Sequence, residues 1–400
     1  MAFAGLRGSG SWGTDERPKN FREMILFLNP KGSAPLFALT SKIRKETVDD
    51  PEFSWWEESL GNIRLAVNFT TGFSTTDNTL TVDAGSATIN GGLELVAGDV
   101  LMVEKAESVA YDNELMLVSS VTSDTVIVVK RGIAGTTAAP ALDDVFLTKI
   151  GNAFEEGSGA PDVVLNNPTK VTNYCQIFKT AVGLTNTAKE IHARTGDAWT
   201  IDKKRKAFAH SRDIEWSLLF GRAYEDTGGT FPKRYTGGLR KFITTNSKIY
   251  TTTPTEDDLL DWITPLFNFD TEAGDERIVF AGNGFLNSLN KLARNSTSTR
   301  INFNGVLEVY GMKLQEWIIP QGRLGIKTHP LLNQHGRYSN SAFVVDPSLL
   351  IYRPLRNRDT SFKDNIQAND SDTRKGQWLT EAGLEVEHQK TMGYIGNFVV

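Results

Sequence analysis

The hydrophobic pattern changes character several times along the chain. Arg22 to Leu28 (REMILFL) fits two helical turns ended by Asn29-Pro30, because a residue before proline is pushed out of the α region. Pro35 to Ile43 is a second apolar patch. Pro51 to Leu60 (PEFSWWEESL) sets Trp55 and Trp56 side by side among acids. Successive side chains on a strand face opposite ways, so one of the two indoles is predicted to meet solvent. Exposed tryptophan is a mark of an interface.

From about Asn68 to Gly157 the texture is β. The runs Leu93 to Val96, Val100 to Val103, Glu114 to Val121 and Thr125 to Val129 are parted by Gly98-Asp99, Asp112-Asn113, Ser123-Asp124 and Arg131-Gly132. Partial alternation with turn signals at strand-length spacing predicts a small antiparallel β-barrel or sandwich. Pro161 to Pro168 reads as a linker. Val171 to His192 reads as a long strand or hairpin arm, with Tyr174, Gln176, Phe178 and Thr180 on one face and Cys175, Ile177, Lys179 and Ala181 on the other. Neither face is uniformly apolar, as expected of an arm lying between partners and not of a core strand.

Ile201 to Tyr224 carries the strongest helical period, traced by Phe208, Ser211, Glu215, Leu218, Leu219 and Arg222, with Thr200 or Asp202 as cap and Gly228-Gly229 as the end. Helices are also predicted over Glu256 to Phe267 and over Gly284 to Arg294, the latter after a strand at Arg277 to Ala281. Strands then follow at Val306 to Tyr310, Lys313 to Ile319, Leu324 to Lys327, Ala342 to Val345, Leu349 to Tyr352 and Leu384 to Gln389. Strands mixed with helices in no regular βαβ alternation predict an α+β fold.

Composition narrows this picture. Four hundred residues, 40% hydrophobic and 23% charged, give two to three domains of ordinary globular character and rule out collagen or a coiled-coil rod. A compact chain of this size buries roughly three quarters of its unfolded surface, so no disulfide or metal staple is needed. The single Cys175 cannot make an internal disulfide, and with five histidines a Cys-rich structural zinc site is excluded. A reducing cytoplasm is the expected compartment. Residues 1–12 lack the roughly 7 to 15-residue apolar stretch of a signal peptide, and no apolar run is long enough to cross a membrane.

The net charge of −5 argues against a generally basic nucleic-acid binder. Its distribution says more: Leu60 to Ala160 holds thirteen acids and five bases, so this quarter carries −8 and the remainder +3.

Candidate chemistry is sparse. Gly8-Ser9-Gly10-Ser11-Trp12-Gly13 matches GxGxxG, yet no strand leads into it and no helical period follows, so it is not read as a nucleotide loop. Gly282-Asn283-Gly284 does lie between a strand and a helix, but no Lys-Ser/Thr follows, and a tight turn is the better reading. Gly325-Ile326-Lys327-Thr328 lacks the Gly-Lys-Thr adjacency as well. The acid pairs Asp49-Asp50, Glu57-Glu58, Asp143-Asp144 and Asp257-Asp258 read as solvated or helix N-terminal charge. His192, His210, His329, His335 and His388 show no ligand spacing, and Cys175 has no histidine near it in sequence. Asn68-Phe69-Thr70 and Asn295-Ser296-Thr297 are glycosylation sequons that mean little without a secretory route. Lys203-Lys204-Arg205-Lys206 is the densest basic run, able to meet phosphate backbone or an acidic surface, or to stand as an exposed first turn.

The order of elements is then the informative feature. A short N-terminal apolar segment, an exposed arm interrupted by a β-module, one long helix, and an α+β region with a closing strand resembles the major capsid proteins of tailed bacteriophages. The residues that carry the resemblance are Asn29 to Ile43 (NPKGSAPLFALTSKI), Trp55 to Leu60 (WWEESL), Asn173 to Thr187 (NYCQIFKTAVGLTNT), and Arg212-Asp213-Ile214-Glu215 with Tyr235-Thr236-Gly237-Gly238-Leu239. Gly98-Asp99-Val100 and Val129 to Thr136 (VKRGIAGT) resemble the β-module of one branch of that family.

The resemblance implies a Hong-Kong-ninety-seven-like fold with the β-domain inserted in the E-loop region. The implied map is N-arm 1–50, outgoing E-loop arm 51–70, inserted β-domain 71–160, return arm 161–200, spine helix and P-domain 201–255, A-domain 256–375, and closing P-domain strand 376–400. It implies a structural protein of the virion capsid, made in the bacterial host cytoplasm, assembling through pentamers and hexamers into an icosahedral head around double-stranded DNA. Portal and scaffolding proteins, and a decoration protein, are the implied partners. No catalytic residue, metal, cofactor or membrane is implied. No long heptad run precedes the Trp pair, which implies that scaffolding is a separate protein or absent. Trp55, Trp56, Tyr174, Ile177 and Phe178 are the expected inter-subunit anchors, the acidic module is expected to face outward, and Lys203 to Lys206 to face the genome or a neighbouring acidic surface. Two other classes fit the composition, a carbohydrate- or surface-binding β-module and a cytoplasmic hydrolase with an unrecognised carboxylate pair.

Overall fold

A computed structural model describes residues 35–40, 43–58, 63–69, 72–85, 89, 91–104, 112–164, 167–191, 196–295, 303–309 and 312–400. The predicted helix at Arg22 to Leu28, the GxGxxG stretch and His192 lie outside the described residues. The chain divides into two units, one made from residues 56–170 and the other from the segments on either side of it.

In the first unit six antiparallel strands run in the order Arg64–Ala66, Phe146–Asn152, Asp99–Val103, Leu115–Ser123, Val126–Lys130, Thr79–Thr81. The first and last strands are joined by a bridge between Val67 and Val82, with Asn68 N–H donating to the Thr81 carbonyl and Asp83 N–H to the Ala66 carbonyl, both at 2.9 Å. The sheet is therefore a closed barrel, which leaves no free edge. Alternation supplies its filling: Leu65, Leu101, Val103, Met116, Val118, Ile127, Val129 and Leu147 point inward and are buried.

Two of the sequence motifs explain themselves here. Gly98 adopts φ +99°, and a Cβ there would stand 2.4 Å from the Phe154 ring. Arg131 lies buried over the Phe73 ring and forks onto Glu114 through Nε and Nη2, both at 2.6 Å. It also donates to the carbonyls of Ser74 (2.8 Å) and Ala139 (2.7 Å). Burial alone would raise the Glu114 carboxyl; Arg131 and the N–H groups of Ala139 and Gly132 hold it below the usual range. Leu93 to Val96, predicted as a strand, instead opens as a single 3₁₀ turn at Gly92–Glu94, because Gly92 packs against the Ser123 and Asp124 backbone where a Cβ would clash. Strands at 64–66, 79–81 and 146–152 went unpredicted, being short or interrupted by polar residues.

The second unit holds a seven-stranded mixed sheet in the order Ser247–Ile249, Gly393–Gly396, Ala342–Val345, Glu276–Ala281, Gly322–Thr328, Met312–Ile319, Phe303–Val309. The predicted boundaries at 255/256 and 375/376 do not divide it. Ser247–Ile249 pairs in parallel with Gly393–Gly396, so one sheet takes strands from both sides of each boundary. The helices Glu256–Ile263 and Asn283–Asn295 share the apolar core of this sheet through Leu259, Trp262, Ile263, Phe285, Leu289 and Leu292.

A second, smaller sheet is centred on the long strand Thr373–Val386. Leu350–Pro354 and Ser361–Lys363 pair with it, and Gln176–Thr185 pairs along it from Thr185↔Thr373 to Gln176↔Ala382. Only the C-terminal end of that long strand was legible in the sequence. The predicted arm at Val171 to His192 is thus two strands, Thr169–Tyr174 and Gln176–Thr185, followed by the short helix Asn186–Glu190. It is not simply an arm between partners: Phe178 and Val182 are buried within this unit. Residues 44–48 lie parallel to Tyr352–Leu355 and are sewn to that edge by ion pairs of Glu46 with Arg353 and of Lys45 with Asp359.

The long helix runs Ala198–Phe220, three residues earlier than predicted, because Asp197 accepts from the N–H groups of Trp199 (3.1 Å) and Thr200 (3.3 Å). It ends at Gly221 and not at Gly228-Gly229. A Cβ at Gly221 would stand 2.3 Å from the Thr236 carbonyl oxygen, so returning backbone closes off the helix there.

Candidate assembly surface and the network that braces it

Segments far apart in the chain meet at the C-terminal end of the long helix. Asn173 is fully buried there. Its amide nitrogen donates to the carbonyls of Leu384 (2.7 Å) and Gly237 (3.1 Å), and its oxygen accepts from the N–H groups of Gly237 (2.6 Å) and Tyr174 (2.8 Å). Gln176 accepts from Thr236 N–H at 3.1 Å. Gly238 allows the close crossing, since a Cβ on it would lie 2.6 Å from the Ser217 carbonyl oxygen.

One and a half turns back along the helix, Glu215 is fully buried and accepts from Leu36 N–H (2.7 Å) and from His329 Nε2 (2.6 Å). The helix Pro35–Thr40 is anchored by this carboxylate, with Leu36 and Leu39 in the core beneath. His210 sits between Thr180 Oγ1 (3.0 Å) and Thr380 Oγ1 (2.8 Å). Burial keeps its imidazole below the ordinary value, against the pull of Asp213. Asn173, Glu215, Thr236 and Gly237 all belong to the motifs singled out in the sequence, and their work in the structure is bracing. Nothing local in the sequence pairs Glu215 with His329 or His210 with two threonines, since those partners lie 30 to 170 residues apart.

Several of the chemical candidates take structural parts. The turn at Gly282 and Gly284 is filled by residues 339–340: a Cβ on Gly282 would lie 2.2 Å from the Ser339 oxygen, and Phe285 N–H donates to that oxygen at 3.0 Å. No room is left for phosphate. Asp258 closes a capping box with Thr255, and Asp143 accepts from Phe69 N–H at 2.7 Å. Burial pushes the Cys175 thiol up to about 12, which leaves it without thiolate character. Among the described residues no group of three His, Cys, Asp or Glu is placed to hold a metal ion, and no helix is long and apolar enough to cross a membrane.

The five expected interface anchors separate into two kinds. Trp56 is 65% exposed and Ile177 48%, with Tyr174 half-buried. Trp55 and Phe178 are corrections. Trp55 packs against Phe53, Phe242 and Cys175, and Phe178 joins the core beneath the long helix. Strand alternation accounts for both, since Phe53 and Trp55 share one face, as do Phe178 and Val182. In the basic run, Lys204, Arg205 and Lys206 are exposed. Lys203 instead lies with its Nζ 3.9 Å from the Phe362 ring centroid, and its carbonyl accepts from Trp378 Nε1.

What these residues define is a braced α+β frame and a closed barrel, with exposed apolar side chains and motif residues that hold distant segments of the chain together. The chain belongs to the SU10 major capsid protein family, whose model matches residues 7–398. It is 28% identical over 343 residues to a major capsid protein of Pseudomonas phage PaMx41, covering 82% of this chain and 76% of that one. Among solved structures it is similar to the capsid of a native GTA particle (9% identity, 99% and 100% of the two chains, TM-score 0.45). Another is a structure from Microbacterium phage Oxtober96 (11%, 95% and 96%, TM-score 0.45). The family assignment rests on the sequence matches.

Proposed function

We propose that this chain is the wall subunit of a phage head of the Hong-Kong-ninety-seven-like kind, assembling through pentamers and hexamers into an icosahedral shell around double-stranded DNA. The family match along nearly the whole chain is the observation that carries the reading. In it, Ala198–Phe220 is the spine helix, Gln176–Thr185 and Thr373–Val386 belong to the shell wall, and the seven-stranded sheet is the A-domain core. The barrel is the module carried by the E-loop region. Its role is structural and not catalytic.

Trp56, Tyr174 and Ile177 remain the inter-subunit anchors. Lys204, Arg205 and Lys206 face packaged DNA, where each phosphate contact releases counterions. The −8 barrel faces outward, away from the genome, where a decoration protein has access to it. Portal and scaffolding proteins complete the assembly in the host cytoplasm. Negative-stain microscopy and sedimentation of the purified chain test the reading: uniform shells or ring-shaped capsomers are expected, and monomers at every concentration overturn it. A particle reconstruction with the barrel inside the shell overturns the outward assignment alone.

A further inference from the structure

Just past the long helix the chain makes a hairpin, Tyr224–Asp226 with Lys233–Tyr235, that among the described residues pairs with no other strand. Two strands alone are marginal in water, yet this pair is held stiff. The Tyr224 and Tyr235 rings stack at 6.5 Å, Arg234 and Glu225 form an ion pair at 2.8 Å, and Asp226 accepts from Gly228 N–H at 3.0 Å. Its feet are locked too: Gly238 N–H donates to the Gly221 carbonyl at 3.0 Å, and Thr236 and Gly237 are held by Gln176 and Asn173. At its tip Phe231 is 79% exposed beside Pro232, and at its foot Tyr224 is 60% exposed.

We propose that this hairpin is a hook by which one copy of the chain grips a second copy, with Phe231 as its anchor. The inference rests on the shell-subunit reading above and names a contact surface that reading leaves open. An aromatic carried on a hairpin whose strands and feet are held, and followed by Pro232, loses less freedom on binding than one on an unbraced loop, which is how anchor residues work. The occupant follows from area and charge. A phenylalanine ring buries roughly 150–250 Å², whereas a lone pairwise interface needs about 1,200 Å². A contact this small holds only when repeated around closed symmetry, and copies of the same chain supply that repetition. The acids Glu225 and Asp226 face the bases Arg234 and Lys233 across the ladder and cancel them, so the hairpin offers nothing to a phosphate backbone.

The test uses two variants of the full chain. Phe231→Cys carries a reactive thiol against a background in which Cys175 is buried and inert, so a benzophenone maleimide labels the tip. Illumination under assembly conditions is expected to give covalent dimers and a ladder above them, and dilute subunits only monomers. Phe231→Ala is expected to raise the concentration needed for shells about tenfold, a loss of about 1.4 kcal/mol per contact, with an unchanged thermal melt; Phe231→Leu restores most of it. Shells at the wild-type concentration with no cross-link overturn the hook and leave the shell reading standing. So does a lowered melt for Phe231→Ala, or cross-linking to DNA alone. Failure of the wild-type chain to form shells strikes the underlying reading instead.

Discussion

Two adjacent tryptophans show how one residue step decides a side chain's role. Trp55 and Trp56 share composition, neighbours and strand, and differ only in the face that the pleat gives them. Trp55→Ala is expected to lower subunit stability by about 3–5 kcal/mol, the cost of removing a large buried ring, read as a shift in the urea midpoint. Trp56→Ala is expected to leave that midpoint within about 0.5 kcal/mol and to weaken assembly instead. Equal effects of the two on unfolding would refute the division. Asn173 makes the same point for a polar residue: buried in an apolar setting it would be costly, but four backbone partners satisfy it.

At the scale of elements, the long helix is joined to the sheet below it by a neutral histidine. His210 bonds one threonine on Gln176–Thr185 and another on Thr373–Val386, so it tests that docking directly. Its value is lowered from 6.5 by burial. The unfolded chain therefore binds the proton more readily, and the stabilisation is complete above pH 6.5 and lost as pH falls through the folded value. Unfolding free energy is expected to drop on going from about pH 7 to about pH 5, and His210→Gln to flatten that slope, in denaturant titrations at each pH. An identical slope in the variant assigns the acid sensitivity elsewhere.

At the scale of the whole molecule, the two units have separate cores, and the barrel has its own buried ion pair. Calorimetry of the unassembled chain is expected to show two transitions. Arg131→Met leaves Glu114 buried without its partner and is expected to destabilise the barrel by about 3–5 kcal/mol while the other transition stays in place. A single transition moving as one would show the units to be one cooperative block. The charge difference between residues 60–160 and the rest of the chain belongs to this scale as well: thirteen acids against five bases leave that segment at −8, with Glu114 and Asp99 buried in ion pairs to Arg131 and Lys149 and not at the surface.

The amino-acid sequence by itself determined the element types wherever a period ran long enough. The long helix, the strand and helix around Gly282, the antiparallel β-module and the α+β class were all legible, because hydrophobic spacing is a local property. It also disclosed the family, through motifs whose order survives without any knowledge of contacts. Only the tertiary structure decided that the module closes into a barrel, that one sheet unites Ser247–Ile249 with Gly393–Gly396, and that Trp55 and Phe178 are core while Trp56 and Ile177 are surface. The physical reason is common to these. Closure, parallel pairing and the choice of buried face depend on partners tens to hundreds of residues away, and a two-sided strand of mixed polarity does not announce which side another segment will cover.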